Sequence, residues 1–288
     1  MSKLLTAIFG SSREPTIKTV LVCGASGVGK SYFINTAVGA GLLVADGHDL
    51  GTHSVIDHGI PPLRYGDISI QLVDTPGFQN TRDTSEAPVF SDIVRWLAGR
   101  YRANERVVGL IYLRSIQDPK VLRHEARIIQ AFKDLCGEDC LDHVVLVTNR
   151  WQPDSDQQEE RREQNMITDV RKFGSTGTKR VQARRLRNKY GNWDAQEIIR
   201  LFATYTPVTL QAQHEVVDNR ASFGETTVGR RLEADIRERV EGNDRNNASR
   251  GTGVAYMQGE EEQSFWGWIV GIFAIMVTIT ALFARGRR

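Results

Sequence analysis

Cysteine is scarce in this chain, with three residues in 288. So few, unevenly spaced thiols exclude a disulfide-stapled secreted domain and are typical of a reducing compartment. Cys136, Cys140 and His143 lie close together, but two thiols and one imidazole are one ligand short of a closed zinc site. We interpret them as ordinary residues at a helix end, with a metal site as the less favoured alternative.

An excess of charge of one sign is also lacking, because 37 Lys and Arg balance 35 Asp and Glu to a net charge of +2. This balance gives no reason to predict a nucleic-acid partner. Residues 1–16, an N-terminal extension, lack the apolar core and cleavage site of a secretory signal. The hydrophobic content of 40% predicts a folded globular chain.

Strand-like and helix-like segments alternate between residues 17 and 220, which predicts an α/β fold. Such alternation favours a largely parallel sheet with helices on both faces and a ligand at the carboxyl ends of the strands. The predicted strands are 17–23, 68–73, 107–113, 144–147 and, more weakly, 181–186. The predicted helices are 30–40, 89–102, 120–135, 157–173, 193–204 and 209–221.

The segment from Gly24 to Ser31 reads G-A-S-G-V-G-K-S and fits the phosphate-binding loop pattern G-x-x-x-x-G-K-[ST]. Glycines let backbone N–H groups turn toward phosphates, and the helix that follows favours an anion at its N-terminus. Lys30 is predicted to reach the β- and γ-phosphates and Ser31 to ligate Mg²⁺. We predict nucleotide contacts from the whole loop: Gly24, Ala25, Ser26, Gly27, Val28, Gly29, Lys30 and Ser31.

A second motif, Asp74-Thr-Pro-Gly77, ends the strand predicted at 68–73. Its position places Asp74 at the same sheet edge as the loop, where a carboxylate holds Mg²⁺ through water. Gly77 is predicted to offer its backbone N–H to the γ-phosphate, so we group it with Lys30 as a catalytic residue.

With Phe78 included, this motif resembles that of the septin, Toc and GIMAP branch of GTPases, and the chain is most similar to AIG1-type G-domain proteins found in many fungi. The resemblance covers residues 17–220. It implies a Ras-like P-loop G domain with a mostly parallel six-stranded sheet. It also implies binding of GTP or GDP with Mg²⁺, and slow hydrolysis tied to homodimerisation through the G domain.

Three further positions complete the expected site. Thr52 is our choice for the switch threonine that completes the Mg²⁺ shell and acts in catalysis, with Ser54 as the fallback. Asn149 and Arg150 fit the first two positions of the guanine-reading motif Asn-Lys-x-Asp. Gln152 stands where that motif has its carboxylate, so guanine selectivity is expected to weaken, because an amide accepts through one oxygen and carries no charge.

Several alternatives remain open at this site. Asp154 could replace the missing carboxylate if the loop bulges, and Trp151 either covers the base or packs against the domain. Phe78 stands where Ras-type enzymes have a water-orienting glutamine, and Gln79 is one residue away. Arg82 is a candidate to act in trans on a partner's nucleotide.

The C-terminal part predicts a membrane anchor. An amphipathic helix at 221–241, with Val228, Leu232, Ile236 and Val240 in one stripe, either docks on the domain or pairs with another copy. A flexible linker at 242–264 precedes a transmembrane helix at 265–283, whose 19 uncharged residues are long enough to cross a hydrocarbon core of roughly 30 Å. A basic tail follows at 284–288. This order predicts a tail-anchored protein of the mitochondrial outer membrane or endoplasmic reticulum, with its G domain in the cytosol.

The favoured function is therefore a membrane-anchored switch controlled by GTP, which the resemblance implies to be a GTPase. Two alternatives stay open, a nucleotide-binding membrane scaffold without hydrolysis and an ATP-binding P-loop protein.

Overall fold

A single six-stranded sheet forms the centre of the molecule. The computed structural model describes residues 16–39, 55, 60–78, 85–118, 123–152, 157–174, 180–187 and 191–250. The strands are β1 (Thr16–Gly24), β2 (Leu63–Tyr65), β3 (Ile68–Asp74), β4 (Val107–Ser115), β5 (Val144–Asn149) and β6 (Gln182–Arg185). They are ordered β2-β3-β1-β4-β5-β6, and only the β2–β3 pair is antiparallel. The prediction of a mostly parallel six-stranded sheet is confirmed.

Helices connect the parallel strands. They are α1 (Lys30–Val38), α2 (Ala87–Arg102), α3 (Arg123–Cys136), α4 (Gln157–Gly174), α5 (Gly191–Leu201), α6 (Gln211–Gln213) and α7 (Thr227–Arg250). A 3₁₀ turn, Glu138–His143, leads into β5, a π-helical segment, His214–Asp218, continues α6, and a second 3₁₀ turn, Phe223–Glu225, precedes α7.

The sheet carries a hydrophobic core on each face. One core joins α2, α3, α4, α6 and the start of α7, and the other joins α1 and α5. Successive residues of β1 alternate between the two, because side chains point to opposite faces along a strand. Every residue of β4 is buried, as expected of a central parallel strand covered on both faces.

Three elements differ from the sequence-based expectation. The strand β2 was not predicted, because three residues are too few to show the alternation of polar and apolar residues that indicates a strand. Its pairing with β3 is a tertiary contact. The helix predicted at 209–221 is instead the short α6 followed by the π-helical segment. The helix predicted to end at residue 241 continues to Arg250, so the first residues assigned to the linker are helical. Once a helix is nucleated, each added residue gains a hydrogen bond, so polar residues extend it readily.

The start of α7 docks on the α/β domain rather than leaving its apolar stripe free. Val228 and Leu232 are buried in the first core, and Arg231 forms an ion pair with Asp134 of α3. Thr226 caps the helix, since its hydroxyl accepts the backbone N–H of Gly229 at 3.1 Å. The chain divides into two units, Met1–Glu238 and Arg239–Arg288, and the described end of α7 belongs to the second.

No helix in the described part of the chain is long and apolar enough to span a membrane. The predicted transmembrane segment at 265–283, the basic tail at 284–288 and the rest of the predicted linker lie outside that part.

Candidate nucleotide-binding site

The phosphate-binding loop joins the end of β1 to the start of α1 at the carboxyl edge of the sheet. Gly27 and Gly29 have φ angles of 69° and 102°, a left-handed conformation that favours glycine. At Gly24 an added Cβ would lie 2.5 Å from the carbonyl oxygen of Leu113, so the neighbouring strand leaves no room for a side chain. The predicted glycine pattern therefore produces the expected turn, with Ala25, Ser26 and Val28 between the glycines.

Lys30 lies folded back over this loop. Its side chain is buried, and Nζ donates to the carbonyl oxygens of Gly24 at 3.3 Å and Ala25 at 3.2 Å. Burial lowers the pKa of Lys30, and the nearby Asp74 carboxylate and Cys23 oppose that shift. A buried ammonium group that donates to carbonyl oxygens is suited to receive phosphate oxygens instead.

The oxygen groups expected to hold Mg²⁺ meet at the base of the loop. The Ser31 hydroxyl donates to Oδ2 of Asp74 at 2.6 Å, and Asp74 is buried at the end of β3. Asp74 pairs in register with Val22 of β1, which is why the two motifs share one edge. One hydroxyl and one carboxylate suit a hard cation that takes its remaining ligands from phosphates and water.

Among the described residues, no group of three or more His, Cys, Asp and Glu side chains is arranged to hold a metal ion. The thiols of Cys136 and Cys140 lie in the hydrophobic core of the domain. Both thiols are buried, and the Cys140 Sγ donates to the carbonyl oxygen of Thr209 at 3.3 Å.

The segment after Asp74 lies directly against the phosphate-binding loop. The Ser26 N–H donates to the carbonyl oxygen of Phe78 at 2.7 Å, and the Phe78 N–H donates to that of Gly24 at 3.1 Å. An added Cβ at Gly77 would lie 2.5 Å from Cα of Ser26 and 2.9 Å from Nζ of Lys30. Only glycine permits this approach, which brings Gly77 beside the predicted phosphate-binding groups.

Phe78 itself turns away from the site. It is fully buried and stacks on Phe90 of α2 with ring centroids 4.9 Å apart. The position at which Ras-type enzymes place a glutamine therefore supplies core packing, and its side chain cannot orient a water molecule.

Asn149 and Arg150 brace the phosphate-binding loop from the side predicted to bind the base. The Asn149 amide donates to the carbonyl oxygen of Val28 at 2.7 Å, and the Arg150 guanidinium donates to that of Gly27 at 2.6 Å. Asn149 is buried and ends β5, whereas the Arg150 side chain reaches over an exposed surface. The two residues predicted to begin the base-reading motif are thus brought to the phosphate-binding loop.

The next two residues, Trp151 and Gln152, have opposite environments, because the first is buried and the second is exposed. Trp151 is 2% exposed, and its indole N–H is shared between the carbonyl and hydroxyl oxygens of Thr148 at 3.2 and 3.1 Å. The Arg185 guanidinium lies 4.5 Å from the centre of its ring. Trp151 therefore packs within the domain, which decides between the two alternatives. Gln152 is exposed beyond it.

Two residues at this edge were missed by sequence reasoning, Gln117 and Glu159. Gln117 follows β4 and donates to the carbonyl oxygen of Arg150 at 3.0 Å and to Glu159 at 2.6 Å. Glu159 is a buried residue in the first turn of α4. A single glutamine after a strand and a glutamate in a charged helix form no motif that would have indicated a role at this site.

Five of the residues discussed above lie outside the described part of the chain: Thr52, Ser54, Gln79, Arg82 and Asp154. Their suggested roles stay predictions.

Comparisons with known proteins agree with this geometry. The family model described as 50S ribosome-binding GTPase matches residues 19–172. The fold is similar to that of Toc33 from Arabidopsis thaliana in complex with Mg²⁺ and GMPPNP, with a TM-score of 0.51 and 16% identity over 76% of this chain and 89% of that one. The GDP and Mg²⁺ complex of Toc33 gives a TM-score of 0.51 and 16% identity, over 76% and 90% of the two chains. At that identity the likeness shows the fold alone. A search of curated proteins finds no match.

The family match spans more than half of the chain and includes the phosphate-binding loop, Asp74, and the segment from Asn149 to Gln152. GTP or GDP with Mg²⁺ is the ligand set of such a GTPase domain, and this part of the expectation is confirmed. The chain belongs to the 50S ribosome-binding GTPase family.

Proposed function

We propose that this protein is a membrane-anchored GTPase that switches between a GTP and a GDP state. The observation that carries the proposal is the meeting of Lys30, Ser31, Asp74 and Gly77 around one loop. Two distant segments supply these residues, and their chemical types match those required to bind a triphosphate and a hard cation.

Each side chain has a separate role in this proposal. Lys30 neutralises the β- and γ-phosphates, and Ser31 and Asp74 hold the cation, Asp74 through water. Mg²⁺, when bound, offsets the charge that develops on the phosphates. Gly77 donates its backbone N–H to the γ-phosphate, and Thr52 completes the shell of the cation.

The contact between Ser26 and Phe78 supports a switch. The Ser26 N–H is engaged by the Phe78 carbonyl oxygen, and Gly77 is packed against Lys30. A γ-phosphate that used these same groups would compete with the Ser26–Phe78 hydrogen bond. We infer that GTP and GDP stabilise different positions of the segment after Asp74, as in GTPases whose switch loops respond to the γ-phosphate.

Hydrolysis is proposed to be slow and to depend on a second copy of the chain. Because Phe78 is buried, the groups that orient water or stabilise the transition state must come from elsewhere. Arg82, acting on the partner's nucleotide, is our candidate, in keeping with the resemblance to septin, Toc and GIMAP GTPases. The buried Phe78 equally favours the second candidate, a nucleotide-binding scaffold that does not hydrolyse GTP.

The membrane anchor is proposed from residues 265–283. This apolar run is bordered by tryptophans at one end and arginines at the other, which is typical of a membrane-spanning helix at its two interfaces. We propose that the G domain faces the cytosol from the mitochondrial outer membrane or the endoplasmic reticulum. Deleting residues 265–288 should move the protein from the membrane to the supernatant on cell fractionation, whereas continued sedimentation with membranes would overturn the anchor.

Nucleotide binding and turnover test the central proposal. The full chain, kept in detergent, would be titrated with fluorescent GTP and ATP analogues with and without Mg²⁺, and phosphate release would be followed over a range of protein concentrations. Lys30→Ala should abolish binding. A rate per molecule that rises with protein concentration and falls in Arg82→Ala supports the dimer-dependent switch.

Other results separate the alternatives. GTP binding without phosphate release favours the scaffold. Equal or tighter ATP binding means that the segment from Asn149 to Gln152 does not read guanine.

A further inference from the structure

The segment from Arg150 to Gln152, here called the base loop, has a backbone that sends three successive side chains in different directions. Arg150 has a φ of 60°, a left-handed conformation that a non-glycine residue adopts only when its surroundings impose it. Arg150 reaches Gly27 of the phosphate-binding loop, Trp151 enters the core and Gln152 is exposed. The direction in which Gln152 points therefore depends on keeping Arg150 in this conformation.

Two residues from other segments hold the backbone on both sides of Trp151. The Gln117 amide donates to the carbonyl oxygen of Arg150 at 3.0 Å. The Glu159 carboxylate accepts the backbone N–H of Gln152, with both oxygens at 3.4 Å. Gln117 also donates to Oε1 of Glu159 at 2.6 Å, so the two side chains form one connected brace.

The brace is placed to act on the base rather than on the phosphates. Glu159 is 4% exposed, and its carboxylate accepts hydrogen bonds from the Gln117 amide and the backbone N–H of Gln152. Burying a carboxylate costs free energy unless its hydrogen bonds are made. Glu159 therefore holds its two donors, the Gln117 amide and the Gln152 N–H, in place. Gln117 and Glu159 bond to the backbone of the base loop, whereas Lys30 and Ser31, which bind phosphate and Mg²⁺ in our proposal, bond to the phosphate-binding loop and to Asp74.

We propose that Gln117 and Glu159 are positioning residues for guanine recognition, which hold the base loop so that Asn149 and Gln152 face the base. The inference rests on guanine-nucleotide binding at this site. Its physical reason is that Gln152, lacking the charge of an aspartate, makes a weaker contact whose strength depends more on geometry. The brace supplies that geometry from the segments after β4 and at the start of α4.

The test compares GDP with ADP binding to the full chain in detergent, by competition against a fluorescent GDP analogue. Glu159→Gln keeps the side-chain shape but removes the carboxylate charge and replaces one of its two acceptor oxygens with a donor. We expect GDP affinity to fall about tenfold, mainly through faster dissociation, while ADP affinity stays unchanged because ADP uses the phosphate-binding loop without the guanine contacts. The matched control is Glu160→Gln, an exposed neighbour on the same helix, which should change neither affinity.

A second variant guards against misfolding. Gln117 is exposed, so Gln117→Met should fold and should show the same loss of GDP affinity without loss of ADP affinity. Parallel losses for GDP and ADP in both variants would show a general structural role and overturn the inference. Unchanged GDP affinity in the variants would overturn it while leaving GTP binding by the wild type intact. If the wild type binds no guanine nucleotide, the proposed function fails together with this inference.

Discussion

Gln152 occupies the position at which guanine-binding sites usually place a carboxylate. It is exposed at the end of the base loop, close in sequence to Asn149, which is already bonded to the phosphate-binding loop. We therefore expect its amide to make one good hydrogen bond to guanine where a carboxylate would make two charge-assisted bonds.

Gln152→Asp should tighten GDP binding about tenfold and leave ADP binding unchanged. The reason is that a hydrogen bond to a charged group contributes roughly 1 kcal/mol or more of additional binding free energy compared with a neutral one. Isothermal titration with both nucleotides would measure the difference. Gln158→Asp, an exposed residue in α4, is the control for added charge. A variant that binds GDP no better than the wild type would mean that Gln152 does not face the base.

The three thiols are protected by burial rather than by bonding to one another. Burial raises the pKa of Cys23 from 9.0 to about 12 and that of Cys136 well above its ordinary value. A raised thiol pKa favours the folded state below pH 9, and this contribution is lost as the pH rises from about 9 toward 12.

Iodoacetamide at pH 8 should accordingly label the native protein far more slowly than the protein in guanidinium chloride, with Cys23 the clearest case. Mass spectrometry of the alkylated peptides provides the measurement. The free energy of unfolding should also decrease between pH 9 and pH 11, and Cys23→Ala should reduce that decrease. Rapid labelling of native Cys23 would contradict its burial beside the phosphate-binding loop.

At the scale of elements, the apolar stripe of α7 is buried at the start of the helix and exposed at Val240. Val228 and Leu232 are buried, whereas Val240, two turns farther along the same stripe, is 44% exposed. Arg127 of α3 lies 2.9 Å from Glu238, which continues the contact along the helix. Burial, rather than the helical period, therefore determines which part of the stripe stabilises the domain.

Leu232→Ala should cost about 2–4 kcal/mol of unfolding free energy, because it removes buried methyl groups and leaves a cavity. Val240→Ala should cost less than about 0.5 kcal/mol, as is usual at exposed positions. Urea denaturation of both variants measures this difference. Equal effects would show that α7 does not dock as described.

Most elements of the sheet follow from the sequence, because β-branched runs between helical segments are strong local signals. The exceptions depend on distant partners. The three residues of β2 form a strand only because β3 pairs with them. Likewise, Glu215 in the π-helical segment is buried with its carboxylate bonded to the N–H and hydroxyl of Thr227, a contact that no local pattern encodes.

At the scale of the whole molecule, nucleotide binding should stabilise the G domain as a unit. A ligand present at a hundred times its dissociation constant adds about 2.7 kcal/mol to the unfolding free energy. For a domain of this size that corresponds to a rise in melting temperature of roughly 5–11 °C.

Differential scanning fluorimetry with GDP and Mg²⁺ should show this rise, and EDTA should remove part of it because Ser31 and Asp74 would lose their cation. Lys30→Ala is expected to show no rise with nucleotide. A rise that is equal in Lys30→Ala would place the stabilising nucleotide outside the phosphate-binding loop.

The sequence by itself determined the phosphate side of the site, because that chemistry is local. The turn from Gly24 to Ser31 depends on contiguous glycines, and the carboxyl ends of parallel strands bring Asp74 to the same edge. The base side was decided only by tertiary structure. Gln117 and Glu159 belong to separate segments and acquire a common role only when the fold brings them together around the base loop. Trp151 is buried in the core that includes Met166 of α4, with the Arg185 guanidinium over its ring, for the same reason: the environment of a side chain is set by whatever packs against it rather than by its neighbours in sequence.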